Sequence, residues 1–210
     1  MVLGLDTCLD ACACAVLEDG RVLARATEPM ARGHQERLAP LVRDAMRDAG
    51  LDFSRLDRIG VTVGPGSFTG LRVGLAFAKG LGGALGAPVV GVGALEALGA
   101  SEPEGLTFAA IDARRGQIYL QAFRDGAALM APDALDLGAA AARIAEFHSG
   151  EPVALVGSGG PLLADGLPRA RLVSAAGCDP TAVARLAAAR APTPARPLYL
   201  RAPDARLPQT

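Results

Sequence analysis

Residues 5–23 and 111–129 align without a gap, and this internal repeat constrains the fold more than any other feature of the chain. The alignment sets Asp6 against Asp112, Asp19 against Asp125, Gly20 against Gly126 and Leu23 against Leu129. Both segments read as strand, turn, strand, hairpin, strand, with Asp-Gly at each hairpin tip, where a two-residue turn needs positive φ. Each triplet is followed by a helical pattern and then by a β-rich run ending in glycines. These runs are Val61-Thr62-Val63-Gly64-Pro65-Gly66 and Ala154-Leu155-Val156-Gly157-Ser158-Gly159. Two such units predict a duplicated α/β fold of two lobes. The expected division is residues 1–102, residues 103–196 and a closing extended segment, 197–210.

The first glycine run continues as Ser67-Phe68-Thr69-Gly70-Leu71-Arg72-Val73-Gly74, so a strand, a tight loop and a helix start meet at one point. Backbone amides and the positive end of a helix there make anion binding physically reasonable. It is not a P-loop, because Gly70 is followed by Leu71 and Arg72 and not by Lys and Ser/Thr. A purely structural turn is the alternative. Gly64 to Gly74 resembles the hallmark of the TsaB (YeaZ) family, the non-catalytic partner in bacterial tRNA threonylcarbamoyladenosine synthesis. The resemblance implies an actin-like fold, of the kind shared by sugar kinases and chaperone ATPases. It also implies pairing with TsaD through helices of the N-terminal lobe, docking of TsaE on the pair, tRNA contact only through the complex, and homodimers when TsaD is absent.

Two helices carry that expectation. Residues 34–49 have an apolar stripe of Leu38, Leu41, Val42, Ala45, Met46 and Ala49, charged residues on the other side, and Gly50 as a stop. Pro40 falls late for a first-turn proline, which allows a kink or a later start. Residues 69–85 are apolar nearly all round, interrupted by Arg72 and Lys79. Gly70, Gly74, Ala78, Gly82 and Gly86 recur at every fourth position. Glycine weakens a helix by roughly 0.8–1 kcal/mol relative to alanine, so this ridge calls for close backbone packing. It can face the chain's own first helix or sheet, or a partner. The resemblance favours a partner, with Leu38, Leu41, Val42, Ala45, Met46, Gly70, Arg72, Gly74, Ala78, Lys79 and Gly82 as contact residues.

The chemistry of a nucleotide enzyme is thin. Asp6 and Asp112 occupy the strand ends where actin-like ATPases hold magnesium, and Gly157, Gly159 and Gly160 resemble the adenosine-contacting turn, so these five are read as vestigial nucleotide-binding residues. The first turn, Thr7 to Ala11, lacks glycine, and the second, Ala113 to Gln117, has Gly116 without a neighbouring hydroxyl. TsaD-like relatives carry His-x-x-x-His for a metal; here the fourth residue after His34 is Leu38, and His148 lies at the end of a separate helix. Ser67 does not match a Gly-x-Ser-x-Gly elbow, and helix capping by Ser67 or Thr69 explains it better. The reading is no catalytic residue, no metal and no cofactor, with an independent actin-like ATPase or kinase, or a peptidase, as alternatives.

A net charge of −1 excludes the basic footprint of a chain that grips nucleic acid unaided. Arg114 and Arg115, at a hairpin tip, read as solvated charges or as contacts to a partner or RNA. Cys8, Cys12, Cys14 and Cys178 match no zinc spacing, and Cys12 and Cys14 fall on one side of a strand as small core residues. No apolar run is long enough to span a bilayer, and Val2 to Asp6 opens the chain as a strand without a leader pattern, giving a cytoplasmic expectation. Leu198 to Leu200 is apolar enough to dock on the body, and the residues from Ala202 onward read as a disordered tail.

Overall fold

Asp19 and Gly20 (φ 48° and 82°) and Asp125 and Gly126 (φ 50° and 78°) take up the same left-handed turn, so the two repeats begin with matching hairpins. The computed structural model describes residues 1–192 and 194–201; the expected tail, 202–210, lies outside the described residues. In the first unit, β1 (Val2–Asp6), β2 (Ala11–Glu18) and β3 (Arg21–Pro29) are joined antiparallel. They lead into α1 (His34–Asp48), β4 (Arg58–Thr62), α2 (Phe68–Leu85), β5 (Val89–Val92) and α3 (Ala94–Gly99). The sheet order is β3-β2-β1-β4-β5, with β4 parallel to both β1 and β5.

The second unit repeats this order. β6 (Leu106–Arg114), β7 (Gln117–Arg124), β8 (Ala127–Ala128), β9 (Asp133–Asp136), α4 (Leu137–Phe147), β10 (Val153–Val156) and β11 (Ala170–Val173) build the sheet β11-β10-β6-β7-β8, with β9 also paired to β7. The third strand that the repeat predicts after Gly126 is cut short to β8, and β9 forms separately farther on. Pro132, which has no N–H for a ladder, lies between the two. Among the described residues the last helix is α5 (Pro180–Ala188).

Two helices change sides. α3 leaves the first sheet and packs on β6 and β7, while α5 returns from the second unit to cover β1, β2 and β4. Strand β2, between β3 and β1, is consequently buried on both faces from Ala11 to Leu17. Cys14 and Val16 lie in the core with α1, and Ala15 and Leu17 form a small cluster with Ala184 of α5. Burial raises the Cys12 thiol to about 11 and that of Cys14 to about 12, so both behave as small apolar residues.

α5 can approach because Gly4 and Gly60 are register partners on β1 and β4. A Cβ on Gly4 would lie 2.2 Å from the Pro180 carbonyl oxygen, and one on Gly60 would lie 2.6 Å from Ala187 Cβ. Arg58 then closes the end of α5 by donating to the carbonyls of Ala187 (2.8 Å) and Arg190. Gly60→Val should destabilise the chain by about 2–3 kcal/mol, the usual scale of overpacking, read as a lower urea midpoint. An unchanged midpoint would mean that α5 is not seated there.

Candidate functional site

The glycines of the Gly64 to Gly74 motif face inward. A Cβ on Gly66 would lie 2.2 Å from Cys8 O, one on Gly70 2.0 Å from Thr7 O, and one on Gly74 2.4 Å from Thr7 Oγ1. Only glycine lets the start of α2 settle on the turn after β1. Ser67 N donates to Cys8 O at 2.7 Å, Thr7 Oγ1 donates to Gly70 O at 2.8 Å, and Ser67 Oγ caps the helix by accepting from Gly70 N at 3.2 Å. The amides of Ser67 and Gly70 are thus bonded within the chain and do not point at a ligand.

In this geometry most of the expected partner residues are buried within the monomer. The ridge continues inward through buried Ala78 to Gly82, where a Cβ would be 2.6 Å from Val89 Cγ2. Leu38, Leu41, Val42, Ala45 and Met46 are buried in the same core, on the side of α1 that covers β2. The side-chain positions of Gly70, Gly74, Ala78, Gly82 and these five α1 residues belong to the chain's own packing. A glycine ridge reports close approach, and here the approaching surface is the monomer's own sheet. Arg72 and Lys79 are exposed, as a contact role requires.

The outer face of α2 brings Arg72, an expected contact residue, together with two aromatic rings that the sequence reading did not assign to the site. Phe68 is 54% exposed and Tyr199 48%, with ring centroids 5.8 Å apart. The Arg72 guanidinium carbon lies 3.7 Å from the Phe68 ring centroid, and Arg72 Nε donates to Tyr199 Oη at 3.4 Å. Leu198 N donates to Val63 O at 2.7 Å, which anchors the closing segment and holds Tyr199 in place. Beside this trio a groove of about 520 Å³ runs between α1 and α2, lined by Gln35, Leu38, Phe68, Arg72, Val73 and Phe77 among others. Farther along α2, Ala76, Gly80, Gly83 and Ala84 are exposed, and a Cβ on Gly80 or Gly83 would meet nothing within 4 Å. The helix therefore has a second smooth face, directed outward.

A cleft of about 510 Å³ separates the lobes, with Cys8, Asp10, Ser67, Asp112, Arg114 and Ser158 in its walls. Asp6 lies fully buried, with its carboxylate occupied. Oδ1 accepts from Cys8 N (3.0 Å) and Thr62 Oγ1 (2.7 Å), and Oδ2 accepts from Cys178 N (2.7 Å). Burial raises its pKa, opposed by these hydrogen bonds. It joins the end of β1, the end of β4 and the approach to α5, a structural office in place of a ligand's.

Asp112 is the matching residue of the second unit and does reach the cleft. It accepts from Arg114 N at 2.8 Å and pairs with the Arg114 guanidinium at 3.1 Å, while its own amide donates to Ser158 Oγ. Gly157 has φ 104°, matching 103° at Gly64 in the first unit. Gly157, Gly159 and Gly160 are buried: a Cβ on Gly157 would lie 2.5 Å from Ala110 O, and one on Gly160 3.2 Å from Leu155 Cβ. Ser158, between them, is the residue of this loop that faces the cleft. Among the described residues no group of three His, Cys, Asp or Glu side chains could hold a metal ion, and no helix is long and apolar enough to cross a membrane.

A family model described as TsaD, tRNA N6-adenosine threonylcarbamoyltransferase, matches residues 22–161. The protein named TsaB in Escherichia coli is 40% identical over 56% of this chain and 52% of that protein. The solved structure of YeaZ from Pseudomonas aeruginosa superposes with a TM-score of 0.80 at 29% identity, covering 95% of this chain and 99% of that one. The chain belongs to the TsaB (YeaZ) family. An uncharacterized protein of Mycobacterium tuberculosis is 37% identical over 98% of this chain and 93% of its own length. More distant structures, of the Acidaminococcus fermentans (R)-2-hydroxyglutaryl-CoA dehydratase component A and of EutJ from Carboxydothermus hydrogenoformans, at 12% and 13% identity with TM-scores of 0.55 and 0.53, share the fold alone.

Proposed function

We propose that this chain is the non-catalytic scaffold subunit of the bacterial tRNA N6-threonylcarbamoyladenosine synthesis complex. It binds a TsaD-type transferase through the outer face of α2 and the groove beside α1, in the lobe of residues 1–102. In chain order residues 103–196 belong to the smaller lobe, which takes α3 from the first unit and gives up α5 to the first sheet. TsaE joins the pair, tRNA is met only through the complex, and the same face pairs with a second copy when the chain is alone, in the cytoplasm. Relatives named for this pathway support the assignment. The observation that carries the docking reading is the Phe68–Arg72–Tyr199 trio, exposed beside an apolar groove in a chain with only 4% aromatic residues. Aromatic and arginine anchors of this kind dominate binding energy at protein interfaces.

The scaffold reading is supported by Asp6, whose carboxylate is occupied by the chain itself. The second reading, an independent ATPase or kinase, draws on the cleft, where Asp112, Ser67 and Ser158 remain accessible. Calorimetry with Mg-ATP on the isolated chain separates them. The scaffold predicts neither heat nor turnover, whereas micromolar binding with turnover would establish the enzyme.

A further inference from the structure

His34 opens α1 and is only 7% exposed, and its Nε2 finds no hydrogen-bond partner among the described residues. A buried polar atom without a partner is unfavourable, and native structures usually answer it with water or a bound group. His34 lines a crevice of about 420 Å³ between the first turns of α1 and α2, with Gln35, Ser67 and Thr69 also in its wall. Two helix starts meet there, each bringing the positive end of its dipole. α2 is capped by Ser67, but α1 begins at Gly33, φ 89°, with no side-chain cap. Arg32 and Glu36 both border the crevice and offset each other in charge, and Glu36 Oε2 lies on the Gly33 side, 3.8 Å from where a Cβ would stand.

We infer that this crevice binds a small oxyanion, of phosphate or carboxylate type. With the proton on Nε2, His34 donates one hydrogen bond from the floor. The uncapped start of α1 and the Thr69 hydroxyl complete the cradle. The crevice meets the interlobe cleft at Ser67 and shares Gln35 and Thr69 with the groove beside α1, and its test on the isolated chain reads anion binding independently of the docking reading.

The test is titration of inorganic phosphate, and separately of acetate, into the purified chain, followed by the backbone amide signals of residues 34, 35 and 69 in two-dimensional NMR. The inference expects a saturable shift of these resonances. Saturation by phosphate alone marks a phosphate site, and an equal response to acetate marks a carboxylate site. His34→Phe should abolish the response, and His34→Gln, which keeps an N–H donor, should restore part of it. Thr69→Glu places a carboxylate at the crevice from an exposed position and should weaken phosphate binding at least tenfold with the fold intact. No saturable shift with either anion, or a response unchanged in Thr69→Glu, would overturn the inference.

Discussion

Asp6→Ala should lower the stability of the chain by about 3 kcal/mol or more, because it leaves buried donors at Cys8, Thr62 and Cys178 without their acceptor. The loss is read as a fall in the urea midpoint. Asp6→Asn keeps one acceptor oxygen and should cost about 1 kcal/mol. The pH dependence gives the same residue a second signature. Burial raises the folded pKa of Asp6 above its ordinary 3.8, so its protonation favours the folded state. That contribution is complete below the unfolded pKa and is lost as pH rises through the folded one. Asp6→Asn should remove this component from the stability profile. A carboxylate kept for a magnesium nucleotide would behave differently: alanine there would abolish turnover and leave the midpoint near its original value.

Ala76→Arg or Gly80→Arg should weaken pairing with a TsaD-type partner at least a hundredfold, a loss of about 3 kcal/mol on the scale of an interface hot spot. Both positions are exposed, and the space around a Cβ at Gly80 is open. Replacing a helical glycine also favours the helix by a few tenths to about 1 kcal/mol, so the folded monomer is retained. Gly74→Leu should do the reverse. Its Cβ would fall 2.4 Å from Thr7 Oγ1, so the variant should unfold before any question of pairing arises. Circular dichroism beside a pull-down distinguishes the two outcomes.

Much of the architecture could be read before any coordinates. The Asp-Gly tips announced both hairpins because that turn needs φ above zero, and the spacing of Leu38, Leu41, Val42, Ala45 and Met46 announced the buried side of α1. The orientation of the glycine ridge could not be read in the same way. A missing side chain records that something comes close, and it is silent on whether that is Thr7 of the same chain or a helix of another. Nor could local pattern bring Phe68 to Tyr199, since their contact depends on the closing segment bonding to Val63. Asp6 was visible as a strand-end carboxylate, but its loss to internal bonding depends on Cys178, 172 residues away. The exchange of α3 and α5 between sheets is likewise long-range, set by the Gly4–Gly60 platform and by Phe123 lying against Gly99.

The measurement that bears most directly on the proposed role is the mass in solution of the chain mixed with a TsaD protein of the same organism, for the native sequence and for Ala76→Arg. The account predicts a stable heterodimer with the native chain and separate species with the variant, both chains remaining folded. A heterodimer that survives Ala76→Arg and Gly80→Arg unchanged, or no association with the native chain, would contradict it.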